Sequence, residues 1–99
     1  MEFAWSEAKN AANSRKHGLK FELAALLFHS PTVEEDDDRR DYGELRVRAY
    51  GKINGRLMVC VYTDRQMDGR SVRWIISLRK ANQREVRRFD GKIEASGKA

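Results

Sequence analysis

The stretch LRVRAYGKINGRLMVCVYTDRQMDGRSVRWIISLR, residues 45–79, decides the fold. Leu45, Val47 and Ala49 alternate with Glu44, Arg46, Arg48 and Tyr50, the period-two pattern of a strand with one buried face. Gly51-Lys52-Ile53-Asn54-Gly55 reads as a hairpin turn, because Asn-Gly supplies the positive φ angles that tight hairpins need. Arg56 to Thr63 is almost wholly apolar and predicts a central strand covered on both faces. Met67-Asp68-Gly69-Arg70 makes the next turn. Val72, Trp74, Ile76 and Leu78 then face one way, and Arg73, Ile75, Ser77 and Arg79 the other. The three strands make an antiparallel meander.

Working outward, Phe3-Ala4-Trp5 reads as a short opening strand. Ser6 stands where an N-cap belongs, followed by Glu7 and helix formers up to Lys16. Gly18 supplies the left-handed stop, with Arg15, Lys16 and His17 in the last turn. Phe21, Ala24, Ala25 and Phe28 recur at helical spacing and predict a second helix, ended by Ser30-Pro31. Two such short helices cannot bury their apolar faces alone and need the sheet. Glu34 to Asp38 is five consecutive acids and reads as a solvated loop, since clustered like charges resist packing. A last short helix is expected from Ala81 to about Arg88, and residues 91–99 as a flexible tail. The reading is one α+β domain over residues 1–90.

No run reaches the roughly 18 apolar residues of a membrane span, and Met1-Glu2-Phe3 does not open a secretory leader. The lone Cys60 lies inside the apolar strand and reads as a core thiol. The expected location is the cytoplasm. Two histidines and one cysteine form no zinc pattern, and no Gly-rich loop opens a helix. Neither a metal nor a cofactor is expected.

Charge carries the functional signal. Residues 1–38 hold four Lys and Arg against eight acids, and residues 39–99 hold sixteen against seven. Twelve of the thirteen arginines fall in the second part, and the planar guanidinium fork suits bidentate phosphate contact. Arg46, Arg48, Arg73 and Arg79 are expected on one sheet face, with Arg56 and Arg65 flanking the central strand. Such crowding on adjacent strands is relieved by an anion, and points to a polyanionic partner. RNA can be cut by its own 2′-hydroxyl, provided a base, an acid and stabilising cations are positioned. Arg46, Arg48, Lys52, Arg56 and Arg73 are candidates for holding RNA. His17, Glu44 and Glu85 are candidates for moving protons. Lys52 or Lys80 could serve if crowding lowered its pKa. Helix capping by His17 and ion pairing by the two glutamates are the competing structural roles.

These residues also carry a family likeness. Phe3-Ala4-Trp5-Ser6-Glu7-Ala8-Lys9-Asn10, Asn13, Lys16-His17-Gly18 and Phe21-Glu22-Leu23-Ala24 resemble the opening of the BrnT toxins. Gly43 to Arg46, Gly55-Arg56, Val61 to Thr63, Arg65, Arg73 to Ala81 and Glu85 agree in the second half. The resemblance implies a RelE-like fold, and a ribonuclease that arrests translation. It also implies neutralisation by a BrnA-like ribbon-helix-helix antitoxin, in a complex that binds operator DNA and can assemble further. On the general pattern of such toxins, Arg65, Arg79 and Lys80 fall where phosphate is contacted. Ser6, Trp74 and Leu78 depart from the usual residues, and Phe89 lies near a usual tyrosine. A gyrase-directed toxin and a corepressor without activity are the alternatives, since fold does not fix function.

Overall fold

The computed structural model describes residues 1–97, with side chains up to residue 92. The meander is present and is carried by two-residue turns. β3 (Val47–Ile53) and β4 (Arg56–Met67) are joined by Asn54 and Gly55, at φ of 51° and 79°. β4 and β5 (Arg70–Lys80) are joined by Asp68 and Gly69, at 54° and 75°. Two left-handed residues match the right-handed twist of the flanking strands. The expected five-residue turn is thus shorter, and Gly51 to Ile53 stay in β3. Leu45 lies before the strand and is exposed.

The acidic run corrects the sequence reading, because its first three residues, Glu34 to Asp36, belong to a strand. β2 (Thr32–Asp36) pairs antiparallel with β3, Glu35 opposite Arg48 and Glu34 opposite Ala49. Pleating sends successive carboxylates to opposite faces. Glu34 accepts from the Tyr62 hydroxyl at 3.0 Å, whereas Glu35 meets Arg48 and Arg88 at 3.2 Å. Asp37 follows, buried between Arg39 and Arg48. The repulsion is offset where Arg48 sits between Glu35 and Asp37, with Arg88 and Arg39 on their far sides.

β1 (Glu2–Ala4) adds parallel to β5, and the sheet runs β1-β5-β4-β3-β2. A second correction concerns β5. Val61 faces Ser77 and Tyr62 faces Ile75, so Ile76 is an extra residue in a bulge. The expected alternation breaks there. Ile75 and Leu78 share one face, with Met58, Cys60 and Tyr62. Burial pushes the Cys60 thiol up to about 12, consistent with a core residue.

α1 (Glu7–His17) is capped as expected: the Ser6 hydroxyl accepts from the Lys9 amide, and Gly18 is left-handed at φ 71°. The second helix is a 3₁₀ turn, Phe21–Leu23, running into α2 (Ala24–Phe28). Phe21, Ala24 and Leu27 close the main core against the sheet face of Cys60 and Leu78. The opposite face carries α3 (Gln83–Gly97), with Phe89 over Tyr50, Leu57 and Val59. α3 passes through Gly91 rather than ending near Arg88, and residues 98–99 lie outside the described residues. Among the described residues no helix is long and apolar enough to cross a membrane.

Candidate functional site

The start of α3 leans over the far end of β5, and an arginine pocket opens between them. It has a volume of about 230 Å³ and is lined by Glu35, Arg39, Arg48, Tyr50, Arg79, Asn82, Arg84, Glu85, Arg88 and Phe89. Five guanidiniums face two carboxylates, a surplus that favours an anion.

Its rim is built around Glu85. Arg79 grips this carboxylate with both nitrogens, at 2.8 and 2.9 Å. The Asn82 amide donates to Glu85 at 3.0 Å, and the Glu85 amide donates back to the Asn82 side chain at 2.9 Å. This reciprocal pair is a capping box. The Tyr50 hydroxyl donates to the second Glu85 oxygen at 3.4 Å. Hydrogen bonding from Arg79, assisted by the Asn82 amide and opposed by burial, takes the Glu85 carboxyl down to about 2. It is held as an anion and is a poor proton acceptor.

The floor is aromatic. Tyr50 stacks on Phe89 with ring centroids 4.0 Å apart and planes at 15°. Burial, and then the Glu85 charge, push the Tyr50 phenol above its usual range. Phe89, at the place of the expected tyrosine, is buried under that stack.

The outer wall comes from β2 and β3. Arg39 holds Asp37 with two bonds, at 2.6 and 2.9 Å, and this keeps the Asp37 carboxyl below its usual value against its burial. Arg48 reaches Asp37 and Glu35, both at 3.2 Å. Arg88 reaches the other Glu35 oxygen at 3.2 Å. Arg84 is exposed and has no ion-pair partner among the described residues.

Of the sequence candidates, the pocket gathers Arg79, Arg48 and Glu85. Lys52 lies beside it and pairs with Asp90 of α3 at 3.2 Å. Arg65, Glu44 and Arg46 form a separate cluster. Glu44 accepts from Arg65 and from Arg46, each at 3.2 Å, while Arg65 stacks on Trp74 and Arg46 on Tyr42. Burial raises the Glu44 carboxyl, but the two arginines outweigh it and the net shift is downward. Val59 is opposite Arg79, and Arg65 lies six positions further along β4, about 20 Å along the strand.

Arg73 corrects the expected grouping. It lies on the face covered by α1 and α2, where it stacks on Tyr62 at 3.9 Å and Phe28 at 4.8 Å and pairs with Asp64 at 2.9 Å. The bulge at Ile76 is the cause, since it puts Arg73 and Arg79 out of phase. Lys80 is exposed and opposite Met58, so it points away from its neighbour Arg79. Arg56 is exposed at the β3–β4 turn. His17 ends α1 and lines a shallow groove with Lys9, Asn13, Lys16 and Ile76. Burial, then the charges of Lys16 and Arg79, lower its pKa.

The sequence reading missed Glu35, Arg39, Arg84 and Arg88. Glu35 and Arg39 were hidden by the loop reading of the acidic run. For Arg84 and Arg88 a signal existed, since residues four apart share a helix face. Among the described residues no group of three His, Cys, Asp or Glu could hold a metal ion.

No curated protein matches the chain. The model of a family described as the ribonuclease toxin BrnT of type II toxin–antitoxin systems matches residues 5–85, and the chain belongs to that family.

Proposed function

We propose that the arginine pocket binds the scissile phosphate of RNA and that cleavage follows attack by the adjacent 2′-hydroxyl, without a metal. Family membership brings a ribonuclease activity, an RNA target and an antitoxin partner. The observation that carries the assignment to this pocket is its composition: five arginines on one concavity, one of them, Arg84, without an ion-pair partner among the described residues. Guanidiniums arranged before the substrate arrives stabilise the charge that grows on a five-coordinate phosphorus. Cleavage in this reading blocks translation. A ribbon-helix-helix antitoxin silences the toxin, and the pair binds operator DNA. Finding an adjacent gene for such a protein would support that part, and its absence would count against it.

The decisive assay is RNA cleavage in EDTA. Products ending in a 2′,3′-cyclic phosphate and a 5′-hydroxyl support the mechanism, and intact RNA beside damaged DNA overturns it in favour of a gyrase-directed toxin.

Arg84→Ala isolates phosphate binding from stability. The side chain is exposed and unpaired among the described residues, so the melting temperature is expected to stay put, as surface changes fall within about 0.5 kcal/mol. Affinity for single-stranded RNA should fall, and the log–log salt slope should become shallower by about 0.7, one phosphate contact on a single strand. An unchanged slope removes Arg84 from the RNA path.

A further inference from the structure

We infer that Glu35 is the general base of the pocket, the group that takes the proton of the attacking 2′-hydroxyl. The inference rests on the ribonuclease reading above. It starts from a count of lone pairs, because an ionised carboxylate has about four acceptor positions.

Glu85 has spent its own. It accepts two bonds from Arg79, one from the Asn82 amide and one from the Tyr50 hydroxyl. Asp37 is buried, with a side chain only 1% exposed, and is held by the Arg39 fork and by Arg48. Glu44 lies in the separate cluster with Arg46 and Arg65. His17 lines a groove with residues of α1, away from the α3 side of the sheet.

Glu35 differs from all of these. It lines the pocket, and its side chain is 26% exposed. Among the described residues each oxygen accepts one bond, from Arg48 on one and Arg88 on the other, both at 3.2 Å. About two acceptor positions remain for a hydroxyl. Its strand, β2, is one of the two edge strands of the sheet, so no further strand lies outside Glu35 on that side. The placement also joins base to phosphate. Arg48 and Arg88 each carry several N–H donors, so they can hold Glu35 and a phosphate oxygen together.

The step balances without a further reactant. The 2′-hydroxyl gives its proton to Glu35 as the O2′–P bond forms. The P–O5′ bond breaks, and the leaving 5′-oxygen takes a proton from water. Glu35 then returns its proton to the hydroxide left behind. The products are a 2′,3′-cyclic phosphate and a 5′-hydroxyl.

Glu35→Gln keeps the shape and one acceptor oxygen but cannot take the proton. In this variant kcat is expected to fall at least about 100-fold. KM, and the affinity for a 2′-deoxy analogue, should stay within about twofold, since the residue does not bind phosphate. Added formate should restore part of the activity of Glu35→Ala, a response that a structural carboxylate would not give. Circular dichroism and melting temperature check that both variants fold. Cleavage by Glu35→Gln within about threefold of the unaltered protein overturns the assignment. So does a loss of affinity parallel to the loss of rate, with no response to formate. RNA left intact by the unaltered protein overturns the ribonuclease reading itself, so the two failures are distinct.

Discussion

Arg79→Ala should cut the rate of RNA cleavage by about 10²–10³-fold, the usual cost of removing one preorganised donor to a developing charge. It should also loosen the start of α3, because Arg79 is the main partner of Glu85, and Glu85 is half of the α3 capping box. Loss of rate alone would therefore not identify its cause. Glu85→Gln separates the two. It breaks the same ion pair and loosens the same helix, yet leaves the Arg79 cation in the pocket without its competitor. If Arg79 acts on phosphate, Glu85→Gln retains most of the cleavage that Arg79→Ala loses. Equal losses in both variants would assign Arg79 to structure alone.

The same latch responds to acid. The Glu85 carboxyl is depressed to about 2 from 4.5. A group whose pKa is lowered on folding contributes stability above its unfolded value, and that contribution is lost as pH falls through the folded one. The latch is thus intact above about pH 4.5 and weakens between about pH 4.5 and 2. Tyr50 and Phe89, stacked beneath the latch, provide an optical probe of its opening.

The parts of this fold that local chemistry dictates were legible in the sequence. Asn54-Gly55 and Asp68-Gly69 specify their turns through φ alone, and Ser6 and Gly18 specify the ends of α1. Two features depend on partners distant in the chain and were not legible. The acids of β2 pack because Arg48, Arg88 and Tyr62 await them on opposite faces. The bulge at Ile76 moves Arg73 off the face of Arg79, and no local pattern marks it. Residues 91–99 read as a tail, but one glycine costs a helix only about 1 kcal/mol, and α3 passes through Gly91 to Gly97. The pocket exists only where α3 approaches β2 and β3, so Arg79 and Arg48 were found as cations and Glu35 was passed over as part of a charge run.

Asn13→Ala should lower stability by about 3 kcal/mol, more than any surface change in this chain. β1 pairs only with Val72 to Trp74, leaving the outer edge of β5 open further along. Asn13 closes it. Its side-chain amide donates to the Leu78 carbonyl at 2.8 Å and accepts from the Leu78 amide at 3.2 Å, as a neighbouring strand would. The same amide donates to the Leu19 carbonyl at 2.9 Å, fixing the chain just after the Gly18 cap. Alanine leaves three backbone groups unpaired, two of them on the buried Leu78, and each buried orphan costs about 1–3 kcal/mol. For a domain near 100 residues this corresponds to a melting temperature lower by roughly 15 °C. Exchange of the Leu78 amide should accelerate at the same time, because its acceptor is gone. Asn13→Asp should fare no better, since it keeps the acceptor, loses both donors and buries a charge. A fall of less than about 3 °C would mean that water replaces the amide at this edge. Asn10 works in a similar way, accepting from the Phe21 amide at 2.8 Å. Two polar residues that help to carry the family likeness therefore hold the helices to each other and to the sheet, and the arginine pocket lies on the other face.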